Sequence, residues 1–295
     1  MSVAILGCGY VGLALGRSLA PDRRVVGVRR SADGRAAIER AGFEAVEADV
    51  TSRDELAAVP DVDTVVFAAS SGGRGADAAR DIYVEGLRTA IEALGARENP
   101  PDRLVYTSST GVYGDHDGDW VDEETPIEPT TEKTEVLAEA ERIALEETAE
   151  HGIDGTVVRF AGLYGPERYR LDRYLDGPVT EGYLNMVHRA DAAGTIRFLL
   201  DSDVARGETL LAVDDEPVEK WAFADWLADE CDVLRPEKRT TAERLADEEL
   251  SVPARRRIET SKRCSNDRLR ELGYEFSHPT YRAGYRAAIE DYRRS

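Results

Sequence analysis

Lysine is almost missing from this chain: of 38 basic residues, only Lys133, Lys220, Lys238 and Lys262 are lysine, and the rest are arginine. Cysteine is scarce as well. Cys8, Cys231 and Cys264 are too few and too scattered for a disulfide framework, and no Cys/His group has metal-ligand spacing, so no metal is expected. No apolar run approaches the roughly eighteen residues that cross a bilayer. The apolar N-terminus lacks a basic n-region and a small-residue cleavage site, so it does not read as a signal peptide. These absences predict a soluble, cytoplasmic protein. Basic charge is in deficit too: 58 acidic residues leave a net charge of −20. Such a chain repels nucleic acid and anionic membrane, and a small-molecule partner is expected instead. The acidity fits a solvated surface or a high-salt cytosol, where a Debye length of about 3 Å at ~1 M salt screens self-repulsion. Arginine in place of lysine favours the second reading, because guanidinium is less strongly hydrated and keeps bidentate pairs.

With 42% hydrophobic residues in 295, a sizeable core is within reach. Val3–Leu6, Val25–Val28, Ala45–Ala48, Thr64–Ala68 and Leu104–Thr107 are short Val/Ile/Leu-rich runs bounded by Gly, Asp or Pro, and read as buried strands. Tyr10–Ala20, Asp33–Ala41, Ser52–Ala57 and Ala76–Leu94 read as helices between them. The alternation predicts an α/β fold with a doubly wound parallel sheet covered on both faces. A charged helix, Thr131–Glu150, ends at His151–Gly152 and leads to a sixth strand, Thr156–Phe160. The pattern then loosens into helix Arg189–Leu200, strand Thr209–Ala212 and helices Glu219–Cys231 and Asn266–Leu272, with Glu243–Glu249 a solvated acidic helix. Residues 1–162 are therefore expected to form one domain, and 163–295 a smaller α+β lobe interleaved with it.

Gly7-Cys8-Gly9-Tyr10-Val11-Gly12 lies between the first strand and the first helix. In that position Gly7 serves a tight turn, Gly9 admits a pyrophosphate, and Gly12 lets helix pack on strand. The N–H groups at Tyr10 and Val11 open the helix toward an anion. Cys8 reads as a small packing residue. A dinucleotide binder selective for NAD places Asp or Glu at the end of the second strand. Here Arg29, Arg30 and Ser31 follow Val28. A guanidinium grips a 2′-phosphate where a carboxylate repels it, so NADP is favoured over NAD. Asp49 is a candidate acceptor for the adenine amino group, and Ala68, Ala69 and Ser70 are candidates to line the ribose.

Ser108-Ser109-Thr110-Gly111-Val112-Tyr113-Gly114 resembles the extended short-chain dehydrogenase/reductases, the superfamily of sugar-nucleotide epimerases and dehydratases. The likeness continues at Glu123-Glu124-Thr125-Pro126, at Arg159-Phe160-Ala161-Gly162-Leu163-Tyr164-Gly165-Pro166 and in later segments up to Tyr274. The resemblance implies a Rossmann-like domain that binds NAD(P), and a smaller C-terminal lobe that closes a substrate cleft. It also implies a Tyr-x-x-x-Lys pair on the helix after the Ser-rich loop. That pair is missing: no tyrosine lies between Tyr113 and Tyr164, and no lysine stands four residues after a tyrosine. Counted from Pro129, the tyrosine column falls on Lys133 and the lysine column on Leu137. The chain thus looks like the atypical, dyad-less branch.

Ser109 matches the family's substrate-hydroxyl position; it either orients a reacting oxygen or satisfies loop backbone groups. Tyr113 and Lys133 are stand-in proton donors. Tyr113 alternatively packs under its loop, and Lys133, flanked by Glu132 and Glu135, alternatively sits in a solvated first turn. Arg159, Tyr164, Asn185 and His188 fall where the family lines its substrate pocket, or else pair internally. The expected activity is hydride transfer between NADP(H) and a small polar carbonyl or sugar-like compound. The alternative is a non-catalytic NADP(H) sensor. Monomer and homodimer both remain open.

Overall fold

Apolar runs without polar alternation suit strands covered on both faces, and the computed structural model, which describes residues 1–72, 75–246 and 250–294, arranges them so. Seven strands make one sheet: β1 (Ser2–Leu6), β2 (Arg24–Arg29), β3 (Glu44–Glu47), β4 (Thr64–Phe67), β5 (Arg103–Ser109), β6 (Asp154–Phe160) and β7 (Thr209–Ala212). Their spatial order is β7-β6-β5-β4-β1-β2-β3, and every pairing is parallel. The central strands are almost wholly inaccessible, with Val3 through Leu6 and Val65 through Phe67 at 0% exposure. The order reverses beside β1, so the carboxyl ends of β1 and β4 flank the crevice where doubly wound sheets bind ligands.

The helices that alternate with these strands include α1 (Tyr10–Leu19), α2 (Ala32–Ala41), α3 (Arg53–Leu56), α4 (Ala76–Arg80), α5 (Gly86–Gly95), α6 (Glu132–Arg142) and α7 (Arg189–Ser202). Ser31, Ser52 and Thr131 cap α2, α3 and α6 by accepting backbone N–H bonds, the local reason these helices start where they do. Two helices expected to be regular are interrupted. Ala76–Leu94 contains a π-helical turn at Asp81–Glu85, and the helix after Thr131 passes into another at Ile143–Glu147 before ending at left-handed Gly152. Arg88 bonds Glu147 at 3.1 Å and Arg80 pairs with Glu139 at 2.8 Å, which ties the charged faces of these segments together. At the foot of β5, buried Arg103 donates to the carbonyls of Leu199 and Val204, so a charge inside the fold is met by helix-end oxygens.

The chain divides into two compact units. The first holds Met1–Val112, Pro129–Phe160 and Ala190–Ala212; the second holds Tyr113–Glu128, Ala161–Arg189 and Val213–Ser295. One crossing lies within two residues of the boundary expected after 162, but two segments lie on the far side of it. β7 belongs to the first unit because it pairs with β6, and Tyr113–Glu128 to the second because Trp120–Val121 pairs with Arg263–Cys264. Within the second unit, Met186–His188 pairs with Gly162–Tyr164, and the helices Lys220–Cys231 and Tyr281–Tyr292 pack an aromatic core of Tyr164, Phe223, Tyr281 and Tyr285. The acidic run expected to be helical gives helix Thr241–Leu245, capped by Thr240 and Glu243; residues 247–249 lie outside the described residues. Among the described residues no helix is long and apolar enough to cross a membrane.

Candidate functional site

The first unit carries a glycine turn at the carboxyl end of β1. Gly7 adopts φ +78°, and a Cβ there would stand 2.1 Å from the Ala69 backbone, so only glycine lets the turn lie against the end of β4. Gly7 and Cys8 donate their N–H groups to the Val28 carbonyl at 3.1 and 3.0 Å, and Gly9 closes the turn on the Gly7 carbonyl at 2.7 Å. Gly9 precedes α1 without a capping side chain, and Val11 and Gly12 are buried, so the helix presents backbone rather than side chains at its start. The positive end of this ten-residue helix, without a capping side chain, is a candidate anion site. Cys8 points inward beside Gly12 and Gly27, and burial pushes its thiol up to about 12, which fits packing rather than redox chemistry.

Arg29 lies across this turn. Its Nη1 reaches the Cys8 carbonyl at 3.5 Å and would be 2.8 Å from a Cβ at Gly9, while its stem packs on Gly34 at the start of α2. The guanidinium is thereby held between the glycine turn and a helix N-terminus. Arg30 is exposed and 4.0 Å from Asp49. Asp49 also accepts bonds from the Thr51 N–H and hydroxyl at 3.0 and 2.8 Å, so much of its acceptor capacity is used within its own loop. Ser31 accepts from Gly34 as the α2 cap. Ala68 bonds the Leu6 carbonyl, Ala69 abuts Gly7, and Ser70 accepts from Gly72, which places all three along the same edge as the glycine turn.

Ser109, at the end of β5, accepts a bond from the Gly111 N–H at 3.1 Å and is partly exposed. The oxygen serves the loop, as one of the two sequence readings has it, while the hydroxyl proton is left to donate. Its neighbour Ser108 turns inward and donates to Glu141 at 2.5 Å. Glu141 simultaneously receives Arg159 through Nε at 3.0 Å and Nη2 at 2.8 Å, and both charged side chains are less than a tenth exposed. Arg159 therefore has an internal carboxylate partner, the alternative its position left open. Glu141 carried no sequence signal, since it meets Ser108 and Arg159 across 33 and 18 residues, separations at which helix and strand share no period.

The second unit holds Tyr113, Tyr164, Asn185 and His188, while Lys133 lies in the first. Tyr113 has no exposure and donates its hydroxyl to the Asp122 carbonyl at 2.5 Å, which removes it as a proton donor to any substrate. Tyr164 stacks on Tyr285 with centroids 4.9 Å apart, and His188 lies 3.7 Å from the His278 ring. Asn185 clasps the strand pair beside it, donating to the Lys262 carbonyl and accepting from the Cys264 N–H.

A group not anticipated from sequence lies beside the β4 end. Tyr83, in the π turn between α4 and α5, accepts the Ser71 N–H at 3.3 Å and the Ser71 hydroxyl at 3.4 Å. Burial pushes its phenol up, but the Ser71 and Ser70 donors and the charge of Lys133 outweigh burial and bring it below the ordinary tyrosine value. Read as part of a regular helix, Tyr83 has no predictable facing.

The sheet order and the glycine turn define a dinucleotide-fold protein, and comparison with known proteins makes the class specific. Residues 3–206 match the NAD dependent epimerase/dehydratase family, and the chain belongs to that family. It is 33% identical over 212 residues to protein YeeZ of Escherichia coli K12, covering 68% of this chain and 73% of YeeZ. A candidate NAD-dependent epimerase/dehydratase of Methylobacillus flagellatus superposes with TM-score 0.79 at 30% identity, covering 100% and 99% of the two chains. DesIV of Streptomyces venezuelae, a dTDP-glucose 4,6-dehydratase solved with NAD and TYD, shares the fold at TM-score 0.78 and 19% identity, covering 100% and 98%.

Proposed function

We propose that the chain binds NADP(H) in its first unit and transfers hydride to or from a small polar carbonyl or hydroxyl compound of sugar-like character. The observation that carries this reading is the glycine turn with Arg29 laid over it. The turn leaves no room for side chains at Gly7, the start of α1 is uncapped, and the charge beside them is positive where NAD selection calls for a carboxylate. Gly7, Gly9 and the start of α1 would hold the diphosphate, and Arg29, with Arg30 beside it, would hold the 2′-phosphate. Ala68, Ala69 and Ser70 would border the ribose. When bound, the nicotinamide supplies two-electron hydride chemistry. Ser109 would orient the reacting oxygen through its free hydroxyl proton.

The test is titration of NADPH against NADH in molar KCl, the medium that the net charge of −20 and the arginine bias recommend. NADPH is expected to bind more tightly. Arg29→Ala is expected to weaken NADPH by about 10- to 150-fold, the equivalent of about 1.5–3 kcal/mol for a charge-assisted bond, with little effect on NADH. Preference for NADH, or unchanged NADPH affinity in the variant, would defeat the phosphate clamp. The missing Tyr-x-x-x-Lys spacing favours a second reading, a non-catalytic NADP(H) sensor. Loss of reduced-cofactor fluorescence with aldehydes or sugar nucleotides separates the two, because a sensor binds without turnover.

A further inference from the structure

We propose that Tyr83 exchanges the proton with the substrate oxygen, and that Ser71 and Lys133, brought to it from a loop and a second helix, hold its ionised form. The proposal rests on the dinucleotide reading above. A Tyr–Lys pair absent as a spaced motif on one helix is thereby assembled across two.

Three placements support the assignment. First, Tyr83 stands at the working edge of the sheet: its hydroxyl bonds Ser71, two residues beyond Ala69, which itself lies against Gly7 of the glycine turn. Second, both bonds from Ser71 arrive as donors, so the phenol oxygen collects two protons from its surroundings while its own proton stays available. An oxygen so surrounded is better solvated as phenolate than as phenol. Third, Tyr83 sits within the π turn Asp81–Glu85, and such turns recur at functional sites because the extra residue re-aims a side chain.

Lys133 completes the arrangement. It lies in the first turn of α6, where the helix dipole disfavours a cation, and among the described residues it makes no ion pair. A neighbouring phenolate would relieve that placement. The titratable groups acting on Tyr83 are Lys133 from α6 and Tyr106 from β5; Asp81 and Glu85 on its own turn are exposed. Tyr106 is wholly buried and its hydroxyl has no hydrogen-bond partner among the described residues; burial, with Glu141 nearby, holds it neutral.

For carbonyl reduction, a bound reduced nicotinamide would supply the hydride, with both electrons, to the carbon. The oxygen gains the Tyr83 proton as that O–H bond breaks. The phenolate left behind is held by the two Ser71 donors and the Lys133 ammonium, and a proton from solvent restores it. In the oxidising direction the same phenolate removes the hydroxyl proton.

The readout that needs no turnover is near-ultraviolet difference absorbance during alkaline titration, with Tyr83→Phe subtracted from the wild-type chain. The difference is expected to show one phenol titrating below the ordinary value, moving upward in Lys133→Met and returning in Lys133→Arg. With NADPH and glyceraldehyde as probes, Tyr83→Phe is expected to lose about 100-fold or more in kcat while NADPH affinity stays within about twofold. A phenol at or above the ordinary value, or one indifferent to Lys133→Met, overturns the assignment. So does full activity in Tyr83→Phe, or a Tyr83→Phe defect confined to NADPH affinity, as a purely loop-holding role predicts. Failure of the wild-type chain to bind NADPH would instead defeat the dinucleotide reading. Should glyceraldehyde not be reduced, the titration alone decides.

Discussion

Removing the carboxylate of Glu141 should be among the most destabilising single changes in the first unit. Arg159 donates to it three times, through Nε at 3.0 and 3.2 Å and Nη2 at 2.8 Å, and Ser108 donates a fourth bond at 2.5 Å. The side chains of Arg159 and Glu141 are 8% and 5% exposed, so water cannot replace the lost acceptor. Breaking a buried pair from one side costs about 3–5 kcal/mol. An unfolding entropy of roughly 2.1 cal/mol/K per residue amounts to about 0.6 kcal/mol/K over a chain of this length, so Glu141→Ala should lower Tm by about 5–8 °C. The control is the apolar exchange Glu141→Leu with Arg159→Met, which removes both charges and their desolvation. That double variant should lie closer to wild type than Glu141→Ala does, a positive coupling in a double-mutant cycle. Calorimetric unfolding in molar KCl of wild type, Glu141→Ala, the singles Glu141→Leu and Arg159→Met, and their double measures it. A Glu141→Ala protein within about 1 kcal/mol of wild type would refute the reasoning, as would a double variant whose loss equals the sum of its singles.

Two further outcomes test other parts of the structure. Gly7→Ala places a methyl 2.1 Å from the Ala69 backbone at φ +78°, so it should destabilise by about 2 kcal/mol or more and abolish NADPH binding; in Gly9→Ala the one tight contact, at 2.8 Å, is with the end of the Arg29 side chain, and the Gly7 carbonyl oxygen stands at an ordinary 3.7 Å, so thermal stability should be kept while NADPH affinity falls. Equal melting of Gly7→Ala and wild type would contradict the close approach. In the second unit, burial first and then the Arg173 charge lower Lys220 from 10.5 to about 8, against the opposing pull of Glu181. Between those values the unfolded chain binds more protons than the folded one, so stability attributable to this site rises with pH through that window. Urea midpoints of wild type and Lys220→Met should accordingly differ most in the variant's favour below pH 8, with the gap narrowing toward 10.5; a gap independent of pH would count against a desolvated ammonium.

The parts of the fold legible in the chain are those set by local chemistry. Val3–Leu6 and Thr64–Ala68 read as strands because a run without polar alternation leaves no solvent face, and the strands observed there are buried from Val3 to Leu6 and from Thr64 to Phe67. The helices beginning after Ser31, Ser52 and Thr131 start at residues whose side chains accept the first free N–H groups. The glycine turn was legible for the same reason: between strand and helix it constrains its own backbone, whatever packs around it. Tyr113 was less so. A phenol on a Ser-rich loop reads equally as acid or as packing, and only the Asp122 carbonyl at 2.5 Å distinguishes them. The domain boundary shows the same limit, because strand pairing between segments distant in sequence decided where Tyr113–Glu128 and Ala190–Ala212 belong.

What this sequence determined by itself was the alternation of strand and helix, the glycine turn with arginine after β2, and the absence of a Tyr-x-x-x-Lys spacing. Each is written in neighbouring residues, whose backbone freedom and charge act over a few ångströms along the chain. Tertiary structure decided which side chains meet: Arg159 on β6 with Glu141 on α6, and Tyr83 with Ser71 in the field of Lys133. Those meetings depend on how a π turn rotates one helix and where a second helix crosses it, and such geometry follows from packing across the whole unit rather than from any local pattern.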